Sequence, residues 1–174
     1  MKQIATRTAV IGSGCAGLNA ADWLWDLGQR DLLLVTENMN SGTSRNTGSD
    51  KQTYYKLSLS GDEGDSVGAL AAMLLGNHGD VNGDTALCEA AASAKSFFKL
   101  AGLGVPFPCN EYGEYVGYQT DHDHFRRATS AGPLTSKFMT EALEKSVRGK
   151  GVPIRDQALA CRILTDETGV AGVL

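Results

Sequence analysis

The stretch Thr8-Ala9-Val10-Ile11-Gly12-Ser13-Gly14-Cys15-Ala16-Gly17-Leu18-Asn19-Ala20-Ala21 decides how this chain folds. A short apolar run ends at Ile11, three glycines follow with the spacing G-x-G-x-x-G, and a helical segment opens near Cys15. Strand, glycine turn and helix in that order form the first half of a βαβ unit that holds a dinucleotide. Gly12 permits the tight turn, Gly14 lets the backbone approach a pyrophosphate, and Gly17 lets the helix pack closely on the strand. The helix start offers free N–H groups and the positive end of its dipole, so an anion is favoured there without a lysine. The next apolar run, Asp31-Leu32-Leu33-Leu34-Val35-Thr36-Glu37, reads as a second buried parallel strand whose acidic end lies 20 positions after Gly17. That is where a carboxylate meets ribose hydroxyls. Glycines alone are a weak signal, and a ligand-free glycine turn is the plain alternative. Strand, glycines, helix, strand and acid in register favour the dinucleotide.

The 174 residues, 42% hydrophobic and 21% charged, predict one α/β domain with at most a small excursion. A net charge of −4, with no basic stretch longer than Arg126-Arg127, argues against a nucleic-acid partner. No apolar run approaches the roughly 20 residues that span a bilayer, and Met1 to Arg7 leads into the first strand without a signal-peptide core. A cytoplasmic protein without membrane insertion is the expectation. Cys15, Cys88, Cys109 and Cys161 are scattered, without the paired spacing of zinc, iron–sulfur or dithiol sites, so reduced thiols and no metal are expected. Cys15 lies at a helix N-terminus, which lowers thiol pKa values, yet a small residue there also serves packing, the favoured reading.

Past Glu37 the chain changes character. Asn38 to Thr53 is rich in Ser, Thr, Asn and Gly and reads as a loop. It follows a parallel strand, where α/β sheets place ligands, and its small donors suit a phosphate or a flat heteroaromatic ring; a solvated linker is the alternative. Apolar spacing predicts helices over 65–75 and 84–101, the second capped by Asp84. Glu111 to Tyr118 suggests a small hairpin centred on Gly113, whose tyrosines line a ligand site or, preferably, cover a buried face. Within Asp121-His122-Asp123-His124-Phe125-Arg126-Arg127, three readings stand open. His122 and His124 could bind a metal with Asp121 or Asp123, Arg126 or Arg127 could clamp a carboxylate, or all are solvated loop charges. His78 reads as a surface loop residue. Leu134 to Arg148 forms an amphipathic helix with Phe138, Met139, Ala142, Leu143 and Val147 on one side, ended by Gly149 and Gly151. Strands follow at 152–155 and 159–165, and Asp166 to Gly169 turns into a last strand with no ending, the expected sign of a longer protein.

The order of glycine fingerprint, ribose acid, Ser/Thr/Gly loop, helical excursion, basic segment before a Gly-Pro-Leu-Thr helix, and terminal hairpin resembles the amino-terminal flavin-binding part of the fumarate reductase and succinate dehydrogenase flavoprotein family, which L-aspartate oxidase shares. The resemblance spans essentially the whole chain and about the first third of a usual member. It implies a Rossmann-like FAD-binding fold with a parallel sheet, a helical excursion and a small β hairpin, incomplete at its C-terminus. Residues 1–174 would be the amino-terminal part of that FAD-binding domain, with a capping domain and a further FAD segment expected beyond Leu174. By the same resemblance Gly12, Gly14 and Gly17 would hold the FAD pyrophosphate and Glu37 the adenosine ribose. Thr43, Ser44, Gly48 and Ser49 match the loop beside pyrophosphate and flavin, and Ala160 matches the position whose backbone meets adenine. Two departures stand out. Ser41-Gly42-Thr43 occurs where the respiratory enzymes carry Ser-His-Thr with a flavin-linked histidine, so noncovalent FAD is expected. Gly48-Ser49 stands where the family carries paired glycines.

The function so implied is FAD-dependent oxidation or reduction of a small carboxylate-like substrate, with hydride exchange at the flavin and an arginine of the capping domain moving the proton. No catalytic residue is named within the chain. Arg126 and Arg127 are candidates for holding substrate, and an electron donor is a candidate partner. A noncatalytic dinucleotide-binding or electron-transfer module needing a partner chain is the alternative. A simple NAD-binding Rossmann unit is disfavoured by the long polar loop after Glu37.

Overall fold

A computed structural model describes residues 3–50, 52–59, 64–76 and 80–174; His78 lies outside them. The elements run β1 (Thr8–Ile11), α1 (Cys15–Asp26), β2 (Leu32–Val35), α2 (Thr43–Asn46), β3 (Tyr54–Tyr55), α3 (Val67–Leu75), α4 (Gly83–Gly102), β4 (Tyr118–Thr120), β5 (Asp123–Thr129), α5 (Thr135–Gly149), β6 (Ile154–Arg155), β7 (Ile163–Asp166) and β8 (Gly169–Val173). The chain forms two compact units, residues 1–47 with 139–174 and residues 48–138.

The first unit is built on three parallel strands in the order β1-β2-β6. β1 meets β2 from Thr8↔Leu32 to Ile11↔Val35, and β2 meets β6 at Leu34↔Ile154 and Val35↔Arg155. The central strand is continuously apolar because parallel sheets are covered by helices, and Leu32 and Leu34 are buried. α1 packs on β1 and β2, burying Leu18 and Ala21. The apolar stripe of α5 buries Leu143 and Val147, and α5 is tied to α1 by polar contacts. Ser146 Oγ donates to the buried Asp22 carboxylate at 2.6 Å, and Lys150 Nζ reaches Asp22 at 2.8 Å and Asp26 at 2.7 Å. β7 and β8 form the expected antiparallel hairpin, its turn fixed by Thr168 donating to the Asp166 carboxylate. The strand expected from Leu159 begins only at Ile163.

The second unit carries the antiparallel sheet β3-β5-β4 and the helices α3 and α4. Leu70 and Ala71 of α3 pack against Ala86 and Ala90 of α4, while Tyr54, Phe107 and Tyr115 surround Phe97, with ring centres 5.9, 4.7 and 5.1 Å away. Tyr115 thus covers a buried face, whereas Tyr112 and Tyr118 are exposed. Two expectations shift. No strand pair flanks Gly113: the Asn110 side chain accepts from the Tyr112 and Glu114 amides, competing with a ladder, and the hairpin forms one step later as β4–β5, turning at Asp121-His122. α4 is capped by Asn82, which accepts from Thr85 N at 3.1 Å, and Asp84 instead sits in the first turn, where a carboxylate suits the helix dipole.

Candidate dinucleotide-binding site

At the carboxyl ends of β1 and β2 lies a cleft of about 280 Å³, lined by Ile11, Gly12, Ser13, Gly14, Thr36, Glu37, Ser41, Gly42, Ala158, Leu159 and Ala160. Its floor is backbone. Gly12 turns with φ +101, a conformation that glycine adopts without strain, and its N–H donates to Val35 O at 2.8 Å, tying the turn to the end of β2. A Cβ at Gly17 would lie 2.0 Å from the Gly12 carbonyl oxygen, so even one methyl would force the helix off the turn. α1 starts after Gly14, and no side chain of that cap residue satisfies its first N–H groups, which leaves donors at a positive helix end for an anion. Glu37 is exposed at the cleft, one residue past the buried Thr36.

The cleft owes its walls to residues that the glycine motif does not single out. Ser13 Oγ and Thr36 Oγ1 sit 2.8 Å apart, linking the turn to the residues after β2. Ala158 N donates to Thr36 O at 3.0 Å. The Asp156 carboxylate accepts from Met39 N at 3.1 Å and Gln157 N at 2.8 Å. Together these bring residues 158–160, Ala160 included, to the cleft. Gln157 turns at φ +56, the one non-glycine residue with positive φ among those described. The only sequence signal for this arrangement is an aspartate directly after a short strand.

Of the remaining expected residues, Thr43 and Ser44 lie on α2, a single helical turn behind Gly42. Ser44 Oγ is 3.4 Å from where a Cβ on Gly14 would stand. Gly48 and Ser49 belong to the second unit. There Ser49 N donates to Pro133 O at 3.0 Å, and a Cβ on Gly48 would lie 3.3 Å from the same oxygen. Cys15 Sγ and Thr140 Oγ1 are hydrogen-bonded at 3.0 Å inside the first unit.

Arg127 departs from both the ligand-clamp and the solvated-charge readings. It is 1% exposed; Nη2 and Nε reach Asp65 Oδ1 at 2.6 and 3.1 Å, Nη1 lies 3.3 Å from Asp123 Oδ2, and the guanidinium stacks on Phe125. Burial alone would lower its pKa and raise that of Asp65; their mutual hydrogen bond and charge reverse both, keeping Arg127 above and Asp65 below their ordinary values. Arg126, on the same strand, is exposed. His122 and His124 are exposed too, and no group of three metal-ligating side chains occurs among the described residues.

A larger groove of about 530 Å³ in the second unit is lined by residues such as Tyr54, Met73, Leu74 and Ser93. Its Tyr54 phenol, pushed up to about 12 chiefly by burial, donates to Ser93 O. It has no glycine turn and no helix start, so the smaller cleft is the site that fits a pyrophosphate.

Parallel strands, a glycine turn closing on a helix N-terminus, and an acid past the second strand define a dinucleotide-binding α/β domain. Residues 7–174 match the profile of the FAD binding domain family, and the chain belongs to that family. Its fold is shared with E. coli quinol fumarate reductase, at a TM-score of 0.84 and 17% identity over 99% of this chain and 29% of that one. Mycobacterium smegmatis Sdh1 in complex with UQ1 superposes at 0.80, with 16% identity over 99% and 31% of the respective chains. The 3-ketosteroid-delta4-(5alpha)-dehydrogenase of Rhodococcus jostii RHA1 does so at 0.70, with 15% identity over 97% and 41%. The chain thus spans 29% and 31% of the first two relatives. No curated protein sequence matches it. Among the described residues no helix is long and apolar enough to cross a membrane.

Proposed function

We propose that the chain holds FAD noncovalently by its adenosine diphosphate half, as the nucleotide-binding part of an oxidoreductase of the fumarate reductase and succinate dehydrogenase type that acts on a small carboxylate-like molecule. The observation that carries this reading is the cleft, where Gly17 packs against the Gly12 carbonyl and the uncapped start of α1 meets the turn. When bound, the flavin supplies hydride exchange with the substrate. The chain's own residues do the holding. The backbone of 12–14 and the first N–H groups of α1 balance the pyrophosphate, Glu37 accepts from ribose hydroxyls, and the Ala160 backbone meets the adenine edge. Thr43 and Ser44 supply hydroxyls on the neighbouring turn, and Gly48 and Ser49 are assigned to the flavin side by family resemblance.

Gly42 has no side-chain atom for a covalent flavin bond, and its φ of +96 disfavours any side chain there. By family resemblance Arg126, exposed on β5, is assigned to a substrate carboxylate. A capping domain and an electron-donor partner would complete the enzyme. The coverage of 29% of a fumarate reductase chain supports this.

The test is the visible spectrum of the product of the full gene before and after acid precipitation. A flavin spectrum whose chromophore stays in solution after precipitation is expected. Flavin that follows the precipitate overturns the noncovalent assignment, and no flavin at all overturns the function. The 174-residue chain alone is expected to retain FAD weakly, which gel filtration with FAD checks.

A further inference from the structure

Arg45 is the only cation between Asn38 and Gly48, and its place in the cofactor loop invites assignment to the pyrophosphate. The geometry points elsewhere. We propose, on the basis of the FAD reading, that Arg45 is a positioning residue that fixes the cofactor loop to α5 and makes no contact with phosphate.

Among the described residues the lining of the cleft contains no cation. The Arg45 side chain is 12% exposed and turns to α5, where Nη2 donates to Glu144 and Nη1 lies 4.0 Å from Glu141. Among the described residues Nε has no acceptor, so the anchoring runs through the two terminal nitrogens. Glu144 is itself 18% exposed, and its other oxygen accepts from Arg148 Nε at 2.7 Å. The guanidinium is therefore compensated inside the protein.

The loop needs such an anchor. α2 is one turn, held by Asn46 N to Gly42 O and Thr47 N to Thr43 O, and a single turn does not sustain itself in water. Arg45 leaves that turn toward α5, while its neighbour Ser44 rests against Gly14. One turn earlier on α5, Thr140 touches Cys15 at the start of α1. Residues four apart share a helix face, so one face of α5 braces both the phosphate turn and the loop beside it.

The experiment compares the 174-residue chain with R45Q, E144Q and R45K, first without ligand by hydrogen exchange and then by ADP titration. In the ligand-free arm, the Asn46 and Thr47 amides should exchange about tenfold faster in R45Q and in E144Q, with β1 and β2 amides unchanged and R45K recovering most of the protection. ADP binding should weaken about tenfold in both, with the same salt dependence as the parent. Unchanged loop exchange in E144Q overturns the proposal. So does tighter ADP binding by E144Q, which would mean that the released guanidinium reaches phosphate. ADP binding absent from the parent chain counts against the FAD reading instead, and the ligand-free arm still decides the role of Arg45.

Discussion

The cleft of the first unit and the interior of the second treat charge in opposite ways. The cleft of the first unit is walled by glycine, alanine, small hydroxyls and main chain, with Glu37 as its one ionisable lining residue. The second unit buries Arg127 between Asp65 and Asp123, and Lys56 beneath Phe97. A charge taken out of water needs its full set of partners inside the protein, which leaves it nothing to offer a ligand. An anion site made of amides and a helix end carries no such internal debt of partners. Arg127 and Lys56 therefore serve the fold, while glycines and main chain line the cleft.

The contrast is broken most severely at Arg127. Arg127→Met leaves two buried carboxylates facing each other, and a loss of about 3–5 kcal/mol is expected in urea unfolding. Asp65→Asn gives the same network a pH signature. The folded carboxyl lies below its ordinary value, so its contribution is complete above the unfolded pKa of about 3.9 and is lost as pH falls through the folded one. The Asn variant should lose stability at neutral pH and show a flatter acid limb in pH-dependent melting.

Gly17→Ala comes next, and it should act on binding as well as on folding. The new Cβ meets the Gly12 carbonyl, so ADP affinity should fall more than tenfold while stability drops by about 1–3 kcal/mol. Equal ADP affinity would mean that the turn is not where phosphate sits.

Lys56→Met runs the other way. Its ammonium has no hydrogen-bond acceptor among the described residues and is fully buried, which lowers its pKa. Between that lowered value and about 10.4 the unfolded chain binds more protons than the native one, so stability rises with pH across that window. The Met variant should be about 1 kcal/mol more stable at pH 7 and lack that alkaline rise, as thermal melts at several pH values would show. An effect of similar size belongs to Gly42→Ala. It places a Cβ in open space at φ +96 and should cost about 1 kcal/mol without altering acid release of flavin.

The period and spacing of the residues by themselves determined β1, the glycine turn, α1, β2 and the acid that follows, because turn conformation, helix start and strand burial are local properties of neighbouring residues. The helix at 135–149 and the terminal hairpin were legible for the same reason. Tertiary structure alone decided which polar residues serve which purpose. Ser13, Thr36 and Asp156 shape the cleft through partners 23 or more positions away. Arg127 left the list of ligand-facing charges because Asp65, 62 positions distant, reaches it, and Arg45 turns to α5 because Glu144 lies 99 positions on. A side chain's charge is written in the sequence, but whether a ligand or the fold uses it depends on which distant groups desolvate and pair with it, and only the folded chain brings those groups together.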